Sequence, residues 1–226
     1  MSILRAAGVS FAILGGAEPT TGECVRRAGN EMLFHELAER LVAVLNGLGV
    51  RRIVTCDPHA FNSLKNEYPA FGGQWEVLHH SQLIASLLGA GRIRLERGLE
   101  RVVLHDPCYL GRHNGEFDAP RAVVRALVKD VPLEFGLNRE KAMCCGAGGG
   151  RMWMEETLGS RINVLRTEQA LAVAPTVIAT ACPYCAVMMD DGLKALGRDG
   201  TVAAKDIAEL VAPLLVRDPP APATAG

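Results

Sequence analysis

Short β-branched runs alternate along the chain with longer amphipathic stretches. VSFAIL (9–14), RRIVTC (51–56), RVVLHD (101–106) and TVIATA (176–181) are each bounded by turn residues or charge, which predicts buried strands. Between them, residues 26–48, 80–90, 119–130 and 151–173 place apolar residues at helical spacing. RMWMEE reads as the start of the last of these helices, with Met152, Trp153 and Met154 as packing residues. Strand followed by helix, repeated, predicts an α/β architecture with mostly parallel sheets. The terminal RDPPAPATAG (217–226) is rich in proline and alanine and predicts disorder.

The pattern occurs twice. VTCDPHAF (54–61) lies over ATACPYCA (179–186) when Pro58 is matched to Pro183, an offset of 125. TTGE (20–23) lies over CCGA (144–147) at an offset of 124. Matched anchors at nearly equal spacing predict two related α/β halves. The expected boundaries are 1–98 for the first half and 99–216 for the second, with 217–226 as tail. Subtracting 124 from Cys108 lands at −16, so the opening strand of the first repeat has no counterpart in the chain. A first half that is N-terminally incomplete is favoured over a misassigned start or the tail of a larger polypeptide.

Charge and composition exclude some classes. A net charge of −1 gives no sign of a nucleic-acid or anionic-membrane partner. No apolar run reaches the roughly 18 residues a membrane span needs. Arg5 before VSFAILGGA faintly echoes a signal peptide, but that run is short and interrupted by glycine. Seven cysteines is an odd count in a chain too large to need disulfide staples. Clustered thiols then point to metal or redox chemistry, and the expected compartment is the cytoplasm.

Five of the cysteines form the constellation C-x35-CC-x36-CPYC: Cys108, Cys144, Cys145, Cys182 and Cys185. Each group sits where a strand or turn runs into a loop, and such ends converge on one crevice in parallel α/β sheets. Soft thiolates in that number suit zinc or an iron–sulfur cluster, and zinc is content with four. The glycine run GAGGG lets backbone N–H groups approach sulfur closely. A CxxC that ends a strand and starts a helix places thiols at a positive helix terminus. The same glycine run lacks the lysine–hydroxyl pair of a phosphate loop and the acidic residue of a dinucleotide site.

The spacing resembles the cysteine-rich CCG domain found in heterodisulfide reductase and in the iron–sulfur subunits of glycolate oxidase and lactate-utilisation systems. The words HDPCYLGR, CCGAGGGRMW and ATACPYC are most similar to those of large bacterial iron–sulfur oxidoreductases linked to electron-transfer flavoprotein, over roughly residues 5–195. That family normally carries two CCG units, often behind a ferredoxin-like segment and in some members membrane helices, neither of which is read here. The resemblance implies an oxidoreductase that works within a complex. Electrons would pass from a flavoprotein (electron-transfer flavoprotein or an FAD dehydrogenase subunit) to a quinone or disulfide through a [4Fe–4S] cluster. In heterodisulfide reductase that cluster is a non-cubane form using all five cysteines. Carried over, the ligands are Cys108, Cys144, Cys145, Cys182 and Cys185. The implied place is the cytoplasm, at the inner face of the membrane through partners.

The first half departs from this pattern: Thr20 and Thr21 stand where the pair is expected, and Asp57 and Ala60 where CxxC is expected. Cys24 and Cys56 are off register by three residues and one. A structural, metal-free first half is favoured over a mixed zinc or mononuclear iron site of Cys24, Cys56, Asp57 and His59. His79 and His80 are read as one packed and one solvated residue, ahead of a role in proton transfer at the crevice. His105 and Asp106 precede the first ligand and suit a hydrogen bond toward the cluster. Arg112 and His113 lie on an irregular loop, where binding residues concentrate. Two other functions compete: a metal-stabilised interaction module without catalysis of its own, and a thioredoxin-like exchanger using Cys182 and Cys185. The exchanger leaves Cys108 and the adjacent pair unexplained.

Overall fold

In the computed structural model, which describes residues 1–216, ten α-helices and five strands are joined by loops and short 3-10 or π turns. In chain order they are α1 (Ser2–Ala6), α2 (Glu23–Arg27), α3 (Glu31–Gly47), β1 (Arg52–Thr55), α4 (Pro58–Asn62), β2 (Glu76–His79) and α5 (His80–Gly89). There follow β3 (Val102–Leu104), α6 (Cys108–Gly111), α7 (Asp118–Leu127), α8 (Ile162–Leu171), β4 (Val177–Thr180), α9 (Pro183–Ala195), β5 (Ala203–Asp206) and α10 (Ile207–Val211). All ladders between named strands are parallel: β1 with β2, and β3–β4–β5 in that order. This is the α/β class that the alternating pattern predicts. The tail expected to be disordered lies outside the described residues.

The repeat is visible element by element. β1 recurs as β4 at the offset of 125, and β2 recurs as β5 at 127. Gly22 and Gly146 both have positive φ, +66° and +93°. A Cβ on Gly22 would meet Leu37, and one on Gly146 would meet Ile162, its counterpart 125 residues on. Helix starts are also repeated. Asp57 caps α4 by accepting from His59 N at 2.9 Å, and Cys182 occupies the same position before α9.

Successive side chains of a strand face opposite ways, so the three-stranded sheet serves two cores. Val102, Leu104 and Ala179 join a large cluster with Phe34, Phe61, Val77 and Ile207, which runs through both halves. Val103 and Ile178 turn to a smaller cluster that contains Cys145, Cys182, Cys185 and Phe135. The sheet therefore rests on the shared core and presents its other face to the thiols.

Several expectations fail locally. VSFAIL is not a strand: residues 9–14 run as coil, and Ile13 is 68% exposed. Gly8 and Gly15, both at positive φ, bend the chain on either side, and the run finds no ladder partner. β1 is half-buried, with Val54 41% exposed, because among the described residues it pairs with β2 alone. The helix expected over 151–173 spans only Ile162–Leu171. RMWMEE instead ends a 3-10 turn (Gly148–Trp153), and Trp153 at 82% exposure and Met154 at 54% are not packing residues. Gly149, Gly150 and Gly159, all at positive φ, break helical continuity there.

Candidate metal centre

Three segments bring the five thiols together. β3 ends at Leu104, His105 N continues the ladder to Ala179 O at 2.8 Å, and Pro107 turns the chain so that Cys108 opens α6. Cys144 and Cys145 lie on the loop between the Arg139–Lys141 turn and the glycine run. β4 ends at Thr180, Cys182 stands at the N-cap position of α9 without a side-chain capping bond, and Cys185 sits in its first turn, as the strand-to-helix reading of CPYC predicts. Cys145, Cys182 and Cys185 are buried, while Cys108 and Cys144 are half-buried toward the rim.

The thiols form one unbroken run of contacts. Cys185 Sγ donates to Cys145 Sγ, and electrostatic interactions link Cys108 with Cys144, Cys144 with Cys145, and Cys185 with Cys182. The Cys145–Cys185 sulfur separation is 3.3 Å, and all seven cysteines are free. Hydrogen bonds from Cys108 and Cys145, outweighing burial, hold Cys144 well below the usual thiol range, aided by Gly146 N–H at 3.3 Å. Its neighbours are correspondingly pushed up: Cys145 to about 12 and Cys108 higher, each chiefly by its bond to Cys144. A soft metal group bound by such a set would displace the thiol protons.

The surroundings fit an anionic iron–sulfur group. Arg166 is fully buried and sits within electrostatic reach of Cys144, Cys145 and Cys185. Burial pulls its guanidinium down to about 10, so it remains a cation at neutral pH. Its direct partners are His105 Nδ1, Leu137 O and Gln169 Oε1, none of them a carboxylate. Buried polar atoms without a partner include His105 Nε2, Arg166 Nη2 and Thr180 Oγ1. A ring nitrogen of His105 and the sulfurs of Cys145 and Cys185 lie within 4.8 Å of one another. Burial, then Arg166, lowers the His105 imidazole to about 3, so it is neutral. A cluster would offer sulfur acceptors to these donors and negative charge to the buried guanidinium.

Other expected residues are placed differently. Asp106 does not face the thiols: it takes both Arg121 Nη1 and Nη2 (2.7 and 2.9 Å) and Arg139 N (2.8 Å). It thereby fixes the loop that leads to Cys144. Arg112 Nη1 donates to Ala142 O at 3.0 Å, tying the Cys108 segment to that same loop. His79 and His80 are both buried, contrary to the one-packed, one-solvated expectation. His79 Nδ1 pairs with Ser81 Oγ at 2.8 Å, and His80 Nε2 with Asp206 at 2.9 Å, in the seam between the sheets. Cys24, Cys56, Asp57 and His59 do not gather into a ligand set. Asp57 is spent as a helix cap, His59 Nδ1 pairs with Glu23 at 3.0 Å, and Cys24 Sγ lies 3.7 Å from Tyr184 Oη. Burial, then the Asp206 and Asp57 carboxylates, push the Cys56 thiol up.

Four residues around the centre had escaped the sequence reading: Arg166, Tyr109, Tyr184 and Glu23. Tyr109 stacks on His59 (4.1 Å between centroids) and on His113 (4.3 Å), and Tyr184 meets His59 edge-on at 5.2 Å. Tyr109 follows Cys108 and Tyr184 precedes Cys185, so this aromatic column joins the first half to two of the cysteine-bearing segments. Their adjacency to the cysteines was the available signal. Arg166 offered none beyond its helical spacing with Asn163 and Ala170, which are also buried.

Residues 102–190 match the cysteine-rich CCG domain, a span containing all five thiols. The chain is 51% identical over 211 residues to the "Probable iron-sulfur-binding oxidoreductase FadF" of Bacillus subtilis, covering 93% of this chain and 30% of that protein. It is 41% identical over 217 residues to the "EtfAB:quinone oxidoreductase" of Syntrophomonas wolfei, covering 92% and 30%. To one polypeptide of the "Dihydromethanophenazine:CoB--CoM heterodisulfide reductase" of Methanosarcina barkeri it is 33% identical over 220 residues, covering 94% and 53%. The chain thus spans about a third to a half of the length of these relatives. No helix among the described residues is long and apolar enough to cross a membrane.

Proposed function

We propose that the chain, whose residues 102–190 match the cysteine-rich CCG domain, is the electron-carrying part of an iron–sulfur oxidoreductase. Cys108, Cys144, Cys145, Cys182 and Cys185 are the proposed ligands of a [4Fe–4S]-class cluster, cubane or five-thiolate non-cubane. The proposed donor is a flavoprotein, either electron-transfer flavoprotein or an FAD dehydrogenase subunit. The acceptor is a quinone or a disulfide. Relatives named for EtfAB with quinone and for a heterodisulfide support both ends of that route. The observation that carries the reading is the convergence of five free thiols from three distant segments, with Cys145 and Cys185 in direct contact.

When bound, such a cluster supplies one-electron chemistry at a potential tuned by nearby hydrogen bonds and charge. The chain's own residues do the rest. The fully buried Arg166 balances negative charge beside the thiols, and Gly146 brings a backbone donor against Cys144. Residues 99–216 are proposed as the cluster-bearing half and 1–98 as a metal-free half packed across its rim. Between them lies a cavity of about 110 Å³ lined by Cys24, His59, Tyr184, Trp153 and the backbone of Gly148–Gly150. A small acceptor would approach there, with the Glu23–His59 pair (3.0 Å) positioned to hold a proton. The proposed location is the cytoplasm, at the membrane's inner face through partners, in keeping with seven free thiols.

The test is direct electron transfer. Anaerobically loaded chain, mixed with reduced electron-transfer flavoprotein, should lose visible absorbance. It should recover that absorbance on adding a water-soluble quinone or a disulfide. A loaded chain that neither accepts nor returns electrons would be a metal-stabilised interaction module, and the proposal would fail.

A further inference from the structure

Arg166 has the largest side chain of any fully buried residue described, and a guanidinium can only donate hydrogen bonds. Its Nε donates to His105 Nδ1 at 3.1 Å. Its Nη1 donates to Leu137 O at 3.0 Å and Gln169 Oε1 at 2.8 Å, and its plane rests 3.6 Å from the Phe135 ring centroid. His105 is held as firmly, by its backbone bond to Ala179 O at 2.8 Å and an edge contact with Phe135. These contacts decide where the imidazole hydrogen lies. Nδ1 accepts, so it carries no hydrogen, and a doubly protonated ring would set N–H against N–H. The remaining hydrogen is therefore on Nε2. Nε2 is buried and has no protein partner, while a ring nitrogen of His105 stands within 4.8 Å of the Cys145 and Cys185 sulfurs.

We infer that Arg166 locks His105 as an Nε2–H donor toward the sulfurs of the cluster, so that His105 is not a metal ligand and instead raises the cluster's reduction potential. This rests on the cluster reading above. A His–Cys–Cys group is ordinary zinc chemistry, but zinc needs the Nε2 lone pair that this tautomer withholds. An N–H···S bond favours the reduced, more negative state. Arg166 is a positioning residue: it acts on the cluster through the imidazole it orients.

Two measurements decide this. In the chain labelled with 15N-histidine, long-range 1H–15N correlation should give His105 Nε2 a protonated, pyrrole-type shift and Nδ1 a pyridine-type shift. Arg166→Met should return a mixture of tautomers. In the loaded protein, His105→Leu should weaken one-electron reduction about tenfold, the worth of one typical hydrogen bond, or about 59 mV toward lower potential. His105→Gln, which keeps a side-chain N–H, should recover most of that shift. A pyridine-type Nε2, an unchanged potential in His105→Leu, or the strong nitrogen coupling of a direct ligand in pulsed EPR overturns the inference. A wild-type chain that takes up no iron and sulfide fails the cluster reading instead, and the NMR result still decides the tautomer.

Discussion

Replacing Gly146 by alanine sets a methyl group 3.0 Å from Ile162 Cβ, 3.3 Å from its Cγ2 and 3.5 Å from Asn163 N, at a φ of +93°. Left-handed backbone costs a side-chain-bearing residue about 1–2 kcal/mol, and a forced contact in a packed site adds about 1–3 kcal/mol. Gly146→Ala should therefore cost about 2–5 kcal/mol. Gly149 and Gly150 have φ of +64° and +77° but nothing within 4 Å, so alanine there should cost only the backbone share, about 1–2 kcal/mol. Gly148 has open space and no positive φ, and Gly148→Ala should be within about 0.5 kcal/mol of neutral. Thermal unfolding of anaerobically purified protein reads the series, since 1 kcal/mol moves Tm by about 2–4 °C at this size. Gly146→Ala should fall by roughly 5–15 °C and Gly148→Ala by less than about 2 °C. Ile162→Ala added to Gly146→Ala should cost somewhat less than it does alone, because it removes the 3.3 Å contact with Cγ2 while the Cβ contact stays. Gly22→Ala should behave like Gly146→Ala, since its Cβ would come within 3.2 Å of Leu37 at a φ of +66°. Equal costs at Gly146 and Gly148, or strict additivity with Ile162→Ala, would refute the reasoning.

Other perturbations follow from the same contacts. Asp106→Ala removes one of the two carboxylates on Arg121, which keeps Glu134 at 2.8 and 2.9 Å, and frees Arg139 N, so it should cost about 1–3 kcal/mol in urea unfolding; a loss under about 0.5 kcal/mol would contradict the assigned role. His79 is fully buried, and burial followed by the neighbouring His80 lowers it to about 3. Below pH 6.5 the unfolded chain binds a proton that the folded chain refuses. Stability should thus fall with pH by up to about 1.4 kcal/mol per unit for this residue, a slope that His79→Gln removes. Trp153→Ala should leave Tm within about 2 °C, because the ring is 82% exposed; a larger drop would mean that it packs.

The sequence carried the fold wherever two signals agreed. β1 and β4 were legible because β-branched runs ended at Asp57 and Cys182, matched by the repeat. β5, AAKD, has neither β-branched residues nor a clean alternation, and only its offset from β2 could have revealed it. VSFAIL misled because hydrophobicity specifies burial and not a ladder partner. The five thiols were legible because their spacing survives any loop conformation. The roles of Asp57 and Arg166 were not, since a capping carboxylate and a buried guanidinium look like a ligand and a surface charge until their neighbours are known.

The central claim, that five second-half thiols hold one cluster and the first-half thiols hold none, is tested most directly by anaerobic iron and acid-labile sulfide analysis with EPR across single Cys→Ala variants. The wild type should carry about four irons per chain. Loss of Cys108, Cys144, Cys145, Cys182 or Cys185 should lower that content, while Cys24→Ala and Cys56→Ala should retain it. A colourless, zinc-loaded wild type, or a Cys24→Ala that loses iron while Cys108→Ala keeps it, would contradict the account.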